Sequence, residues 1–241
     1  SLAPRETVIL GEVLDDASQA IRSRANAIAN FARDVSHELK TPITAVRGAA
    51  ELLRDSSSEM SDTQRTRFAD NIVNDASRMS RLVGRLLQLA RLDNPSAFDT
   101  PEALDAVEAT RVLADRHERV SVVVHGLPRS VHLRRDHLDS LVVNLLDNAL
   151  TYGEGEVHLA WTFETGQVVL EVTDQGPGIA ENHIDKVCEP FFTTSRNEGG
   201  TGLGLSIVRA IVDGCSGHFS LSSSDTGTHI RIVIPDDPFR S

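Results

Sequence analysis

The sequence predicts two domains of different class: an all-α helical hairpin forming a dimeric four-helix bundle, followed by an α+β sandwich. Three observations carry that prediction. Apolar residues recur at spacings of three and four as far as residue 92, short apolar runs and helical patterns intermingle beyond residue 100, and Asn94-Pro-Ser-Ala97 between them has the composition of a linker. A chain of 241 residues is long enough for two modest cores. The expected division is a helical lead-in over 1–19, the hairpin domain over 20–93, a linker over 94–100 and the sandwich over 101–241.

The first helix is expected from Arg5 to Arg54. Within it Ile28, Ala32, Val35, Leu39, Pro42, Val46, Ala49 and Leu53 follow the a and d positions of a heptad. The second helix, Asp62 to Leu92, repeats Phe68, Ile72, Asp75, Met79, Leu82, Leu86 and Leu89, with Ala76, Val83 and Ala90 widening the stripe. The polar break Asp55-Ser-Ser-Ser-Glu-Met-Ser-Asp62 joins the two into an antiparallel hairpin. A single hairpin cannot cover both stripes, and their length favours a homodimer through residues 20–92 over a hairpin packed on its own second domain.

His37 falls at position f of the first heptad, furthest from the seam, so the core does not need it. Most exposed histidines are ordinary surface residues, but three neighbours set this one apart. Glu38 can take a proton from one imidazole nitrogen and leave the other a better nucleophile. Thr41 lies one turn on and shares the His37 face. Pro42 cannot donate to the Glu38 carbonyl, so the helix should bend or loosen beside the histidine.

Composition narrows the field. A formal net charge of −11, with no basic stripe, gives no support to nucleic-acid binding and disfavours anionic lipid. The two cysteines, Cys188 and Cys215, lack metal-ligand spacing and read as reduced thiols, which suits a cytoplasmic compartment. No run of about twenty apolar residues occurs, so no membrane contact is expected within these residues. The chain opens Ser-Leu-Ala-Pro without an initiator Met, as a fragment of a longer protein would.

In the second domain the expected order is a helix near 102–116, strands near 120–125 and 130–133, a helix over 135–152, strands near 156–164 and 168–174, a glycine-rich polar region, a helix over 203–213, and strands near 218–223 and 228–234 around the turn Asp225-Thr-Gly227. One sheet covered on one face by helices is the expected architecture.

Three polar sets in this domain suit one ligand. Asn144, Asn148 and Tyr152 are four apart on one helix face; the amides could be a buried hydrogen-bonded pair, but amide oxygens also suit a hydrated magnesium ion carrying phosphates. Asp174-Gln-Gly-Pro-Gly178 follows an apolar strand and reads as a plain turn or as a carboxylate set where backbone can approach a planar ligand. Gly199-Gly-Thr-Gly-Leu-Gly204 opens a helix, where N–H groups and the positive helix end can hold phosphates. It is neither a Walker loop nor a dinucleotide fingerprint. In this order the three sets point to a nucleoside triphosphate.

With these motifs in view, the sequence resembles the catalytic core of a bacterial sensor histidine kinase over residues 20–235. Ser36-His-Glu-Leu-Lys-Thr-Pro42 matches that family's histidine box, Asn144-Leu-Leu-Asp-Asn148 its asparagine box, Asp174–Gly178 and Gly200–Gly204 its two glycine boxes, and Glu189-Pro-Phe191 its phenylalanine box. The resemblance implies a two-component kinase of ATP and Mg²⁺. His37 would accept the γ-phosphoryl group, with Glu38 as its base and Thr41 orienting water for dephosphorylation of a response regulator. That regulator's aspartate would be the next acceptor, docking near His37.

The resemblance further implies Asn148 as the main Mg²⁺ ligand with Asn144 beside it, Tyr152 near the adenine, Asp174 accepting from the adenine amino group, and Gly176 and Gly178 giving the base room. Gly200, Thr201, Gly202, Leu203 and Gly204 would hold the phosphates, and residues 179–200 would form a lid. Two departures stand out. Thr151 occupies a place where the family often has lysine, with Arg196 as a candidate substitute, and Cys188 stands where an aromatic residue is common. The full-length protein would be anchored in the bacterial inner membrane, and the second domain would swing on residues 92–100.

Overall fold

The computed structural model describes residues 4–55, 60–98, 101–195 and 200–236. The chain forms two compact units, Ser1–Arg81 and Leu82–Ser241.

The first unit holds helix α1, Pro4–Asp55, and most of helix α2, Asp62–Leu92. α1 runs through Pro42 without interruption, so the proline does not end the helix beside His37. Thr44, Gly48 and Ala49 of α1 line one groove with Phe68, Asn71 and Asp75 of α2, which fits the antiparallel hairpin. In a single chain the apolar stripes are partly covered: Pro42, Ala49 and Leu82 are buried and Val35, Leu39, Val46, Leu53, Phe68 and Ile72 half-buried. Ile21, Ile28, Ile43, Leu52 and Val73 are between 45 % and 70 % exposed. Among the described residues no helix is long and apolar enough to cross a membrane.

In the second unit a five-stranded sheet of order β2-β4-β5-β7-β6 is formed by β2 (Val120–His125), β4 (Val157–Glu164), β5 (Gln167–Thr173), β7 (Gly227–Pro235) and β6 (His218–Ser224). Its β2–β4 pair is parallel and the others antiparallel. Strict alternation along β4 sends Val157, Leu159, Trp161 and Phe163 to one face. That face meets α4 (Arg135–Tyr152) and, beyond the one-turn helix α5 (Glu181–Ile184), α6 (Gly204–Gly214); Leu138, Leu141, Leu145, Ile207 and Ile211 of α4 and α6 are fully buried. The expected sandwich, covered by helices on one face, is present.

Three details differ from expectation. The helix expected from residue 102 begins later: Glu102–Leu104 is strand β1, and α3 spans Ala106–Ala114. Asp105 causes the delay, because its extended backbone and its side chain, accepting from the Glu108 N–H at 2.9 Å, cap the helix at residue 106. Strand β3, Val131–Leu133, pairs with β1 in a separate two-stranded sheet rather than joining the main one. Within the predicted linker, Pro95–Phe98 forms a 3₁₀ turn whose Phe98 ring is buried against Gly214 and His137, with ring centroids 4.9 Å apart for the last pair.

A polar chain runs through the core. The Trp161 Nε1–H donates to Thr110 Oγ1 at 3.0 Å, and the Thr110 hydroxyl donates to the Ala106 carbonyl at 2.7 Å, with both side chains fully buried. Thr110→Val keeps the shape and strands the indole N–H. It should lower unfolding free energy by about 1–3 kcal/mol, the cost of an unsatisfied buried donor. Urea unfolding followed by fluorescence of Trp161, the only tryptophan, measures it, and an unchanged midpoint would contradict the assignment.

Candidate functional site

On α1, His37 and Thr41 are both exposed, one helical turn apart on the same face, as their spacing requires. Glu38 faces differently: it is 8 % exposed and its carboxylate lies 4.0 Å from Arg78 of α2. The hairpin thus holds the carboxylate beside the histidine against a cation while the imidazole stays in water.

In the second unit, α4 carries the two asparagines. Asn144 is buried and donates through Nδ2 to the Ser140 carbonyl at 2.7 Å and to Ser140 Oγ at 3.2 Å, which turns Oδ1 the other way. A Cβ placed on Gly204 would lie 3.3 Å from Asn144 Oδ1 and 3.6 Å from Asn148 Oδ1. The two amide oxygens therefore converge on the start of α6, whose first turn has no side-chain cap. Neutral oxygens beside an uncapped helix N-terminus suit a hard cation carrying phosphates. Among the described residues no cluster of three or more His, Cys, Asp or Glu forms a metal site.

Asp174 follows β5 and is 9 % exposed. Its Oδ1 accepts from the Gly176 N–H at 2.9 Å and from the Thr228 N–H at 3.1 Å. A Cβ on Gly176 would lie 2.5 Å from the Tyr152 carbonyl, so the aspartate turn is seated directly on the end of α4. Gly178 has φ 71° and lies so close to the Ser224 carbonyl that a Cβ would fall 1.8 Å from it. No other residue fits there. Tyr152 is partly exposed, with its hydroxyl 3.4 Å from Thr193 Oγ1.

The second glycine box packs on the phenylalanine box. Gly202 has φ 65°, and its carbonyl accepts from the N–H of Phe191, itself buried at φ 67°. Thr201 and Leu203 are buried, and the Gly200 N–H donates to the Ser195 carbonyl at 3.1 Å. Arg196 lies outside the described residues, as do 197–199 of the predicted lid. Cys188 is half-buried, and burial pushes its thiol above the ordinary range.

Two cations at this site escape a reading of the sequence. Arg119 donates to the carbonyls of Leu150, Gly153, Glu154 and Gly155 at 3.1–3.3 Å, binding the C-terminal end of α4, where it also complements the helix dipole. Arg85, in the part of α2 that belongs to this second unit, donates to Thr201 Oγ1 at 2.7 Å and to Asp147 Oδ2 at 3.1 Å. Neither position carries a motif, and an arginine on a helix or before a strand reads as a solvated surface residue.

A hairpin with an exposed histidine, followed by a sheet and helices that set paired amides, an aspartate turn and a glycine box around one site, defines a histidine kinase core. Residues 27–95 match the His Kinase A (phospho-acceptor) domain, and residues 134–238 match the histidine kinase-, DNA gyrase B-, and HSP90-like ATPase domain. The chain thus carries the two domains of a sensor histidine kinase catalytic core. It is 33 % identical to the sensor-like histidine kinase SenX3 of Mycolicibacterium smegmatis over 93 % of this chain and 62 % of that protein, so it spans less than two thirds of that relative. Full-length ShkA in complex with AMPPNP is similar at TM-score 0.59 and 25 % identity, covering 86 % of this chain and 46 % of that one. Histidine kinase ThkA, solved in complex with response regulator protein TrrA, shares the fold at TM-score 0.69 and 23 % identity, covering 91 % of this chain and 65 % of that one.

Proposed function

We propose that this chain is the kinase core of a two-component sensor, moving the γ-phosphoryl group of ATP to His37 and then to an aspartate of a response regulator, with phosphatase activity toward that regulator. The observation that carries the reading is the convergence of the Asn144 and Asn148 amide oxygens on the opening of α6, in a chain whose phospho-acceptor domain leaves His37 in solvent. Incubation with labelled ATP and Mg²⁺ tests it. The expected product is acid-labile, base-stable label on the chain; acid-stable label would refute it.

In this reading the domains are 20–93 for dimerisation and phosphotransfer and 101–241 for catalysis, joined by 94–100. Asn148, with Asn144, holds Mg²⁺, which when bound offsets charge on the phosphates. Asp174 accepts from the adenine amino group, Gly176 and Gly178 leave room for the ring, and Tyr152 flanks it. Gly200, Thr201, Gly202, Leu203 and Gly204 hold the phosphate chain. Glu38 takes the imidazole proton as His37 attacks, its carboxylate lying 4.0 Å from Arg78 within the hairpin. Homodimerisation through 20–92 covers the exposed apolar residues Ile21, Ile28, Ile43, Leu52 and Val73. The histidine face of the hairpin receives the regulator, and the parent protein is membrane-anchored.

Thr41 serves the reverse step. Its exposed hydroxyl, one turn from His37, orients water toward the phosphorylated regulator. Thr41→Ala should leave autophosphorylation within about twofold and slow regulator dephosphorylation on the order of ten- to a hundredfold, the cost of a lost orienting group. Equal loss of both activities would refute the separate role.

A further inference from the structure

We infer that Arg85 is a phosphate-binding residue of the nucleotide site, supplied by the end of α2 rather than by either nucleotide-binding motif. The inference rests on the ATP reading above. Arg85 bonds both halves of the site at once, Thr201 of the second glycine box at 2.7 Å and Asp147, next to Asn148, at 3.1 Å. Three residues on, the Gln88 side-chain amide donates to Ser140 Oγ, the hydroxyl that also accepts from Asn144. One face of the last turns of α2 is therefore seated on the polar face of α4 that carries the paired amides.

Charge and geometry then select the role. The chain carries a net charge of −11, and a triphosphate brought to it needs a local cation. Among the described residues, Arg85 is the cation whose side chain bonds both the asparagine box and the second glycine box. Its guanidinium carries more N–H donors than these two bonds use, and it is 29 % exposed, so donors remain for a phosphate oxygen. The Asp147 carboxylate holds the fork in place without burying it, since Asp147 itself is 51 % exposed. Thr201 lies between two glycines that would hold the phosphates, so a group bonded to its hydroxyl is within reach of them.

Calorimetric titration of the full chain with AMPPNP, ADP and adenosine, in Mg²⁺, tests this. Arg85→Ala should weaken AMPPNP and ADP about ten- to a hundredfold, as loss of a charge-assisted hydrogen bond implies, and leave adenosine within about twofold. Arg85→Lys should recover part of the loss, because the charge remains while the planar fork is gone. Unchanged or tighter AMPPNP binding by Arg85→Ala would overturn the inference, as would equal loss on all three ligands, which marks a structural tie. Failure of the unaltered chain to bind any of the three would overturn the ATP reading itself, a result distinct from loss in the variant alone.

Discussion

His37→Gln should abolish incorporation of phosphate from ATP into the chain and leave nucleotide affinity unchanged. The substitution removes a nucleophilic imidazole and leaves a neutral amide of similar reach, which cannot form a stable phosphoryl adduct under these conditions. The fold should not notice, because the position is exposed and glutamine is the better helix former; the expected stability change is within about 0.5 kcal/mol. A filter assay with labelled ATP measures the first effect and calorimetry with AMPPNP the second. The chain has nine histidines, so label persisting on the variant would move the acceptor elsewhere. Lost nucleotide binding would instead mean that His37 matters to the fold of the whole chain.

Asp174→Asn should weaken nucleotide binding by about a hundredfold with the fold intact. Both backbone N–H groups that Asp174 accepts, from Gly176 and Thr228, fall on Oδ1, and an asparagine carbonyl can take over both. What changes is the second position, where an amide donor replaces the oxygen proposed to accept from the adenine amino group. Two donors then face each other in a buried place. Loss of a charge-assisted bond, about 1.5–3 kcal/mol, together with the stranded donors, accounts for the expected size. Adenosine should lose as much as AMPPNP, the reverse of the pattern expected for Arg85→Ala. Unaltered adenosine affinity would remove Asp174 from base recognition.

Much of this was legible before any coordinates. A heptad is a strong signal because each apolar residue repeats the same statement, so α1 and α2 emerged at Pro4–Asp55 and Asp62–Leu92 against expected bounds of Arg5–Arg54 and Asp62–Leu92. The alternation in Val157–Glu164 placed β4 for the same reason. Asn144, Asn148 and Gly204 were each readable as ligand groups from local spacing, and the structure brings them together at one point.

The short strand β1 was not legible in this way. Glu102–Leu104 has too few residues to show a period, and its strand exists only because β3 supplies a partner. The small sheet it forms could not be separated from the large one by pattern.

The sequence by itself determined the two-domain plan, the position of His37 on a solvent face and the order of the nucleotide motifs, because periodicity and glycine-aspartate chemistry are local properties of the chain. Only the tertiary structure decided that Glu38 is held against Arg78, that Arg119 binds the end of α4, and that Arg85 bonds Asp147 and, 116 residues away in sequence, Thr201. A long cationic side chain reads the same whether it is solvated or paired. Its role depends on which carbonyl, hydroxyl or carboxylate the fold brings within about 3 Å, and that is a property of packing rather than of sequence spacing.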